Sequence, residues 1–171
     1  MSYTPTQPRV SRPHFPDGYG TPPGDAGLLP WSFVEERMTQ AKNYWVCTAQ
    51  PDGRPHATPV WGVWVEGRLF FDGSPQTRRG RDIRANPAVS VHLEDGDQVV
   101  ILEGNALILA GAPEPDLAQK ISRAYCAKYE AMGYAPAPDS WDGGGLFVFT
   151  PKLGFGWTRF PDDTTRWTLD D

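Results

Sequence analysis

From residue 44 to residue 109, short apolar runs alternate with tight-turn signals, a spacing that suits an antiparallel sheet and little else. Tyr44-Trp45-Val46-Cys47-Thr48-Ala49 is strand-like, and Pro51-Asp52-Gly53-Arg54 after it carries the Asp-Gly hairpin signal. Residues 56–65 read as one long strand, with His56, Thr58, Val60, Gly62 and Trp64 on one face. Pro59 has no N–H to give a ladder, which predicts a bulge or an open edge there. Glu66-Gly67 turns the chain back into Leu69-Phe70-Phe71. Residues 88–93 form the next strand, and residues 98–109 a long one after the turn at Glu94-Asp95-Gly96-Asp97. Val99-Val100-Ile101-Leu102 suits a strand covered on both faces, and Glu103-Gly104-Asn105 predicts a bend or bulge. Residues 146–149, 155–158 and 165–169 supply three more short strands.

Two segments carry helical spacing instead. Trp31, Val34, Met38 and Ala41 fall on one stripe of residues 31–41. Leu117, Ile121, Ala124, Tyr125 and Met132 do so in residues 114–132, which predicts a helix packed on a barrel. The fold class is mainly β with a few helices, a small antiparallel barrel spanning residues 31–171. Residues 1–30 are rich in Pro, Gly and small polar residues and read as an arm outside that domain. A flexible tail is the expectation. His14, Phe15 and Tyr19 are candidate anchors should it lie on a surface, where with Trp31 it would act as a lid or dimer strap.

The stretch Gly73-Ser74-Pro75-Gln76-Thr77-Arg78-Arg79-Gly80-Arg81-Asp82-Ile83 stands apart. It follows a strand and opens a short helix that stops at Asn86-Pro87. Ser74 suits an N-cap and Pro75 the first helical position. Arg78, Arg79, Arg81 and Arg84 crowd these turns in a chain of net charge −5. A helix N-terminus favours anions, and guanidinium forks match phosphate oxygens. Two readings stand side by side: a phosphate site for a cofactor, or a solvated basic face paired with acids such as Asp72 and Asp82.

Other chemistry is sparse. The acidic balance argues against general nucleic-acid binding, and no apolar run is long enough for a membrane span. No secretion signal is visible at the N-terminus. Cys47 and Cys126 lack metal-ligand spacing and read as reduced, partly buried thiols of a cytoplasmic protein. His14, His56 and His92 are too scattered for a metal set, so no metal site is expected. His92 reads as a satisfied strand histidine, whereas His56 opens a strand where a ligand could sit. No nucleophile–base pair and no dinucleotide fingerprint is present. What remains is an anion site beside aromatic strands, the outline of a pocket in which a cofactor does the chemistry.

The ordered set Asp52-Gly53-Arg54-Pro55-His56-Ala57-Thr58-Pro59-Val60-Trp61, Leu69-Phe70-Phe71, Ser74 through Ile83 with Asn86-Pro87, Val89-Ser90-Val91 and Val99-Val100-Ile101-Leu102-Glu103-Gly104 resembles a known family. These are the split β-barrel flavoproteins, the pyridoxamine-5′-phosphate-oxidase-like proteins. Among them the chain most resembles the class B oxidoreductases that use the deazaflavin F420. The match is good over residues 43–110 and looser over the C-terminal strands.

The resemblance implies a six-stranded antiparallel split β-barrel of the FMN-binding type, dimeric, with two cofactor sites at the homodimer interface. His56, Thr58, Pro59, Val60 and Trp61 would line the cofactor ring and ribityl chain, and Asp72, Gly73 and Ser74 would border the same cleft. Thr77, Arg78 and Arg79 match the phosphate-binding positions. A lysine is frequent where Arg79 stands, and arginine keeps the charge. Gln98 matches a glutamine that reaches the ring, and Trp157 an aromatic commonly brought by the other subunit. Arg81 is a further candidate contact. The C-terminal arginine and histidine set of true pyridoxamine phosphate oxidases is missing, with Arg166-Trp167 the nearest remnant. The implied activity is hydride transfer between F420, or alternatively FMN, and a small conjugated organic substrate. A non-catalytic cofactor or haem carrier of the same fold and an FMN-dependent pyridoxamine-phosphate-oxidase-like enzyme are the alternatives. No side chain is assigned as acid or base.

Overall fold

The computed structural model describes residues 7–169. Residues 1–6, the start of the expected arm, lie outside the described residues, as do 170 and 171. The chain runs β1 (Arg9–Ser11), α1 (Trp31–Gln40), β2 (Tyr44–Ala49), β3 (Pro55–Val60), β4 (Gly62–Val65) and β5 (Arg68–Asp72). It continues through α2 (Arg78–Ala85), β6 (Ala88–His92), β7 (Val99–Ile108), α3 (Pro115–Tyr129), β8 (Leu146–Trp157) and β9 (Thr165–Thr168). All strand pairs are antiparallel, in the order β1-β9-β8-β7-β6-β2-β3, with β5 joining β8 and β4 to each other. The sheet is not closed, and the architecture is that of a split barrel.

β8 is the spine. One side pairs with β7 along its length, while the other pairs with β5 at Leu146–Phe149 and with β9 at Leu153–Gly156. Alternation along the strands divides two apolar layers. Leu69, Phe71, Phe147 and Phe149 enter the barrel core with Val34, Met38, Val91 and Trp167. Phe70, Leu146 and Val148 point the other way, onto Ile121, Tyr125 and Tyr129 of α3. The period-2 geometry of a strand permits this and nothing simpler.

Among the described residues the split-barrel sheet has nine strands, and two of the expected strand boundaries move. The expected long strand of residues 56–65 breaks at Trp61: β3 pairs with β2, and β4 leaves to pair with β5. Pro59 then lies on the terminal strand of the path, the place in a sheet where a missing N–H is best tolerated. The two expected strands 146–149 and 155–158 are one continuous strand. A register shift at Glu103/Gly104 absorbs the irregularity around Pro151. A Cβ on Gly104 would lie 2.1 Å from the Thr150 carbonyl oxygen, so only glycine fits that bulge.

The described part of the arm is docked rather than free. β1 pairs with β9. Arg12 donates to the carbonyls of Gly24, Ala26 and Asp162 at 2.8, 2.8 and 2.9 Å. The Leu29 N–H reaches Thr165 Oγ1 at 2.8 Å, and Phe15 and Tyr19 pack with Phe160. The Pro- and Gly-rich composition hides these anchors because each is a single contact in irregular chain. Met132, expected on the buried stripe of α3, is 43% exposed, because the α-helix gives way to a 3₁₀ turn at Glu130.

Candidate functional site

The basic turn is built differently from its expected form. α2 starts at Arg78 with Thr77 as N-cap, its Oγ1 accepting the Gly80 N–H at 3.1 Å. Ser74 instead accepts the Gln76 N–H at 3.1 Å in the preceding turn, so neither Ser74 nor Pro75 belongs to the helix start. The helix phase then separates the arginines. Arg79, Asp82 and Ile83 face inward, while Arg78, Arg81 and Arg84 face out. Arg78 donates to Gln50 Oε1 at 3.0 Å and Arg81 to the Gln76 carbonyl at 2.6 Å.

Arg79 is only 8% exposed. Its guanidinium lies over the rings of Phe71 and Phe147, 5.5 and 5.7 Å from their centroids. Its Nε is buried with no acceptor, and among the described residues it makes no ion pair. Burial pulls its pKa down from the usual arginine value, and the charge of Asp72 offsets part of that. Gly73 leaves the space for it: a Cβ there would meet Arg79 Nη2 at 3.3 Å, and the Gly73 φ of +148° is one that other residues rarely adopt. The solvated, acid-paired face is thus wrong for Arg79. Asp82, named as a partner for it, is buried and accepts from Thr48 Oγ1 at 2.9 Å instead.

Asp72 ends β5 beside this guanidinium. One of its oxygens, Oδ2, accepts from the Tyr134 hydroxyl and from Trp141 Nε1, the latter at 3.3 Å. Burial and then Asp72 itself push the Tyr134 hydroxyl well above the usual tyrosine pKa, so it keeps its proton. Asp72, Gly73, Tyr134 and Trp141 line a cleft of about 270 Å³ with Gly144 and Gly145. Neither Tyr134 nor Trp141 was expected here. Two aromatics in an otherwise Pro- and Gly-rich loop were the available signal.

β3 approaches the same end of the barrel. His56 lies opposite Thr48, the residue that binds Asp82 of α2, and its Nε2 is 2.9 Å from Thr58 Oγ1. Val60 is buried and Pro59 exposed. Trp61 is 39% exposed and stacks on Tyr129 at 4.9 Å, with Tyr134 at 6.2 Å on its flank. Ser74 and Thr77 are both exposed on the turn itself. His92 stacks on Trp45 and its Nδ1 meets the Leu93 carbonyl at 2.9 Å, a satisfied strand histidine.

Gln98 and Trp157 are not part of this group within one chain. They sit at the far end of β7 and β8, where Val99 pairs with Trp157, whereas Asp72 pairs with Leu146 at the start of β8. Leu146 and Trp157 are the first and last residues of β8, so the two groups stand at opposite ends of that strand. Gln98 accepts from Arg37 and lines a larger cleft of about 460 Å³ with Glu36, Lys42 and Asp95. Trp157 packs edge-on against Phe160 at 5.8 Å.

A second cation behaves otherwise. Lys128 of α3 is half-buried, and its Nζ donates to the Ala41 carbonyl and the Tyr44 hydroxyl at 2.8 Å each and to the Gly62 carbonyl at 3.4 Å. Burial lowers its pKa to about 8. Among the described residues no cluster of three or more His, Cys, Asp or Glu forms a metal site, and no helix is long and apolar enough to cross a membrane.

A split barrel carrying a buried, unpaired arginine at the helix start that follows its β5 strand defines a class of protein rather than one protein. The family model for pyridoxamine 5′-phosphate oxidase matches residues 32–157, and the chain belongs to that family. No curated protein matches the sequence. Among solved structures, a protein named F420 reductase is 22% identical, with 70% of this chain and 94% of that one covered and a TM-score of 0.51. A FAD-binding protein from Mesorhizobium loti is 18% identical over 83% of this chain and 96% of that one, with a TM-score of 0.58. A heme-binding protein from Mycobacterium smegmatis is 18% identical over 83% of this chain and 59% of that one, with a TM-score of 0.61. Likeness at these identities is likeness of fold.

Proposed function

We propose that this protein is an oxidoreductase that binds F420, or FMN, with the cofactor phosphate on Arg79. The observation that supports it is the buried guanidinium whose Nε lacks an acceptor. Burying that charge without a counter-ion is costly, and an anion at the exposed edge of the guanidinium would offset the cost. The residues present fit that ligand: Gly73 opens the space, and the α2 N-terminus with Arg78 adds positive potential.

Arg79 and Arg78 would hold the phosphate, with Thr77 and Ser74 at its edge. β3 from His56 to Val60 offers main-chain groups on a terminal strand, and Trp61 just after it an exposed indole. A flavin or deazaflavin held there would supply hydride transfer to or from a small conjugated substrate. Gln98 and Trp157 stand at the end of β7 and β8 away from Asp72 and the basic turn. Gln98 and Trp157 therefore serve the site only if a second copy of the chain brings them, which makes the functional unit a homodimer.

The absorption spectrum of the purified protein, followed by fluorescence titration with F420 and with FMN, tests this. Binding of one of them, with reoxidation of the reduced cofactor by added acceptors, is the expected result. Binding without any turnover would make the protein a carrier, and a Soret band in place of either would make it a haem protein. Unchanged affinity in Arg78→Ala/Arg79→Ala would overturn the site.

A further inference from the structure

The outside of the barrel is covered on one side only. Over β4, β5 and the start of β8, α3 takes up the outward side chains Val63, Phe70, Leu146 and Val148. Over β3, β2, β6 and the paired ends of β7 and β8, the strand registers carry one row of residues straight across: Pro59, Trp45, His92, Ile101 and Phe155. Val46, Val91 and Leu102 beside them enter the barrel core, so alternation turns this row outward. The helices meet the sheet elsewhere. Val34 and Met38 of α1 and Ile83 of α2 lie in the core, and α3 lies on the other layer. Trp45, His92, Ile101 and Phe155 are therefore only half-buried, and the stacked rings of Trp45 and His92 are already fixed in place at 6.2 Å. Contiguous apolar surface of this kind marks an interface.

Charge and register identify the partner. Arg166 ends this row and Glu103 lies in the next one, one charge of each sign in a chain of net charge −5. A membrane or a nucleic acid would need a basic face, whereas a second copy needs a face without net charge that can match itself. Trp61 lies two positions past Pro59 and Trp157 two positions past Phe155, on the same side of the row, with β2, β6 and β7 between them. A two-fold axis parallel to the strands keeps the rows in register and exchanges the β3 side for the β8 side. An axis across the strands would reverse the rows and lay like strand on like strand. We infer that a second copy docks on this outer face about an axis along the strands, and that each copy delivers its Trp157 to the partner's Trp61. The inference rests on the proposed cofactor site, and it names the face and the residue that complete that site.

The test uses the full chain in two measurements. Sedimentation equilibrium should give wild type about twice the 19.0 kDa chain mass. Ile101→Asp and Trp45→Glu each place a charge in the middle of the row and should raise the dimer dissociation constant about a hundredfold. Circular dichroism checks that both are folded, and either one decides if the other is not. The second measurement coexpresses Arg79→Ala with Trp157→Ala and titrates the product with FMN and F420. Each variant alone should bind weakly. A mixed dimer holds one intact site and one doubly damaged site, so about a quarter of all sites should regain wild-type affinity. Residues acting within one chain would regain none. A monomeric wild type, or folded face variants that stay dimeric, overturns the interface. A Trp157→Ala chain that binds normally, or a mixture without recovery, overturns the delivery of Trp157. If the face variants dissociate but neither cofactor binds wild type, the interface stands and the cofactor reading falls. If a monomer binds cofactor through Arg79, that reading stands and the interface falls.

Discussion

Arg79 and Lys128 are both cations drawn below the surface without a carboxylate partner, yet they do opposite work. Lys128 spends its donors on the Ala41 and Gly62 carbonyls and the Tyr44 hydroxyl, tying α3 to β4 and to the segment between α1 and β2. Arg79 has aromatic rings beneath it and an Nε with nothing to bond. A satisfied buried cation is a structural bolt. An unsatisfied one is a standing cost that function must explain, because native chains leave few buried donors unpaired. Burial alone does not distinguish the two; their hydrogen-bond partners do.

The largest test of this contrast is Arg79→Leu. Removing the guanidinium takes away charge-assisted bonds of about 1.5–3 kcal/mol, so cofactor affinity should fall about a hundredfold. The ligand-free protein should melt no lower than wild type, because an unpaired buried charge has left a largely apolar niche of Phe71 and Phe147. A clear drop in melting temperature would show that Arg79 is a bolt like Lys128. Lys128→Met should do the reverse. It strips the Ala41 carbonyl of this donor and should cost about 2 kcal/mol of unfolding free energy by denaturant titration, with cofactor affinity unchanged.

How far could the amino acids alone separate these two cations? The strand alternation of Leu69-Phe70-Phe71, the Asp52-Gly53 turn and both main helices were legible, because each is a local pattern with a fixed period. The basic turn was legible as a short helix opening after a strand, but the four arginines look alike until their burial is known. Arg79 and Ile83 are four apart, and once Thr77 is the N-cap this spacing places Arg79 on the buried face. The break at Trp61 was illegible because alternation runs straight through it, and only the exchange of partners from β2 to β5 cuts the strand. Tyr134 and Trp141 were illegible as partners of Asp72 because the contacts join residues 62 and 69 positions apart through a loop without a period.

A smaller effect comes from pH. The pKa of Lys128 falls from an ordinary 10.5 to about 8 on folding. Below pH 8 both states hold the proton. Between about 8 and 10 the unfolded chain holds more, so unfolding free energy rises with pH. Partial solvent exposure of Lys128 limits the gain to about 1 kcal/mol. Above pH 10 the sign turns, since burial raises Tyr129 to about 12 and the folded chain then holds more protons. Thermal melts should therefore show a shallow stability maximum near pH 10 in wild type. In Lys128→Met the rise should vanish while the fall remains, and a rise that survives the substitution would remove Lys128 as its source.

The smallest effect belongs to Arg78, and it separates the two neighbours on α2. Arg78 is exposed and its guanidinium meets Gln50 Oε1 at the β2–β3 turn, so water and salt screen whatever it offers a phosphate. Arg78→Ala should weaken cofactor binding about two- to threefold at low salt, equivalent to less than about 1 kcal/mol. That difference should disappear in about 0.5 M salt, where the screening length shrinks to a few ångströms. The Arg79→Leu defect should persist there, because a charge that lies below the surface is screened much less. Equal salt sensitivity in the two variants would place both arginines in the same wet surface, and the distinction between a buried demand and an exposed assistance would be lost.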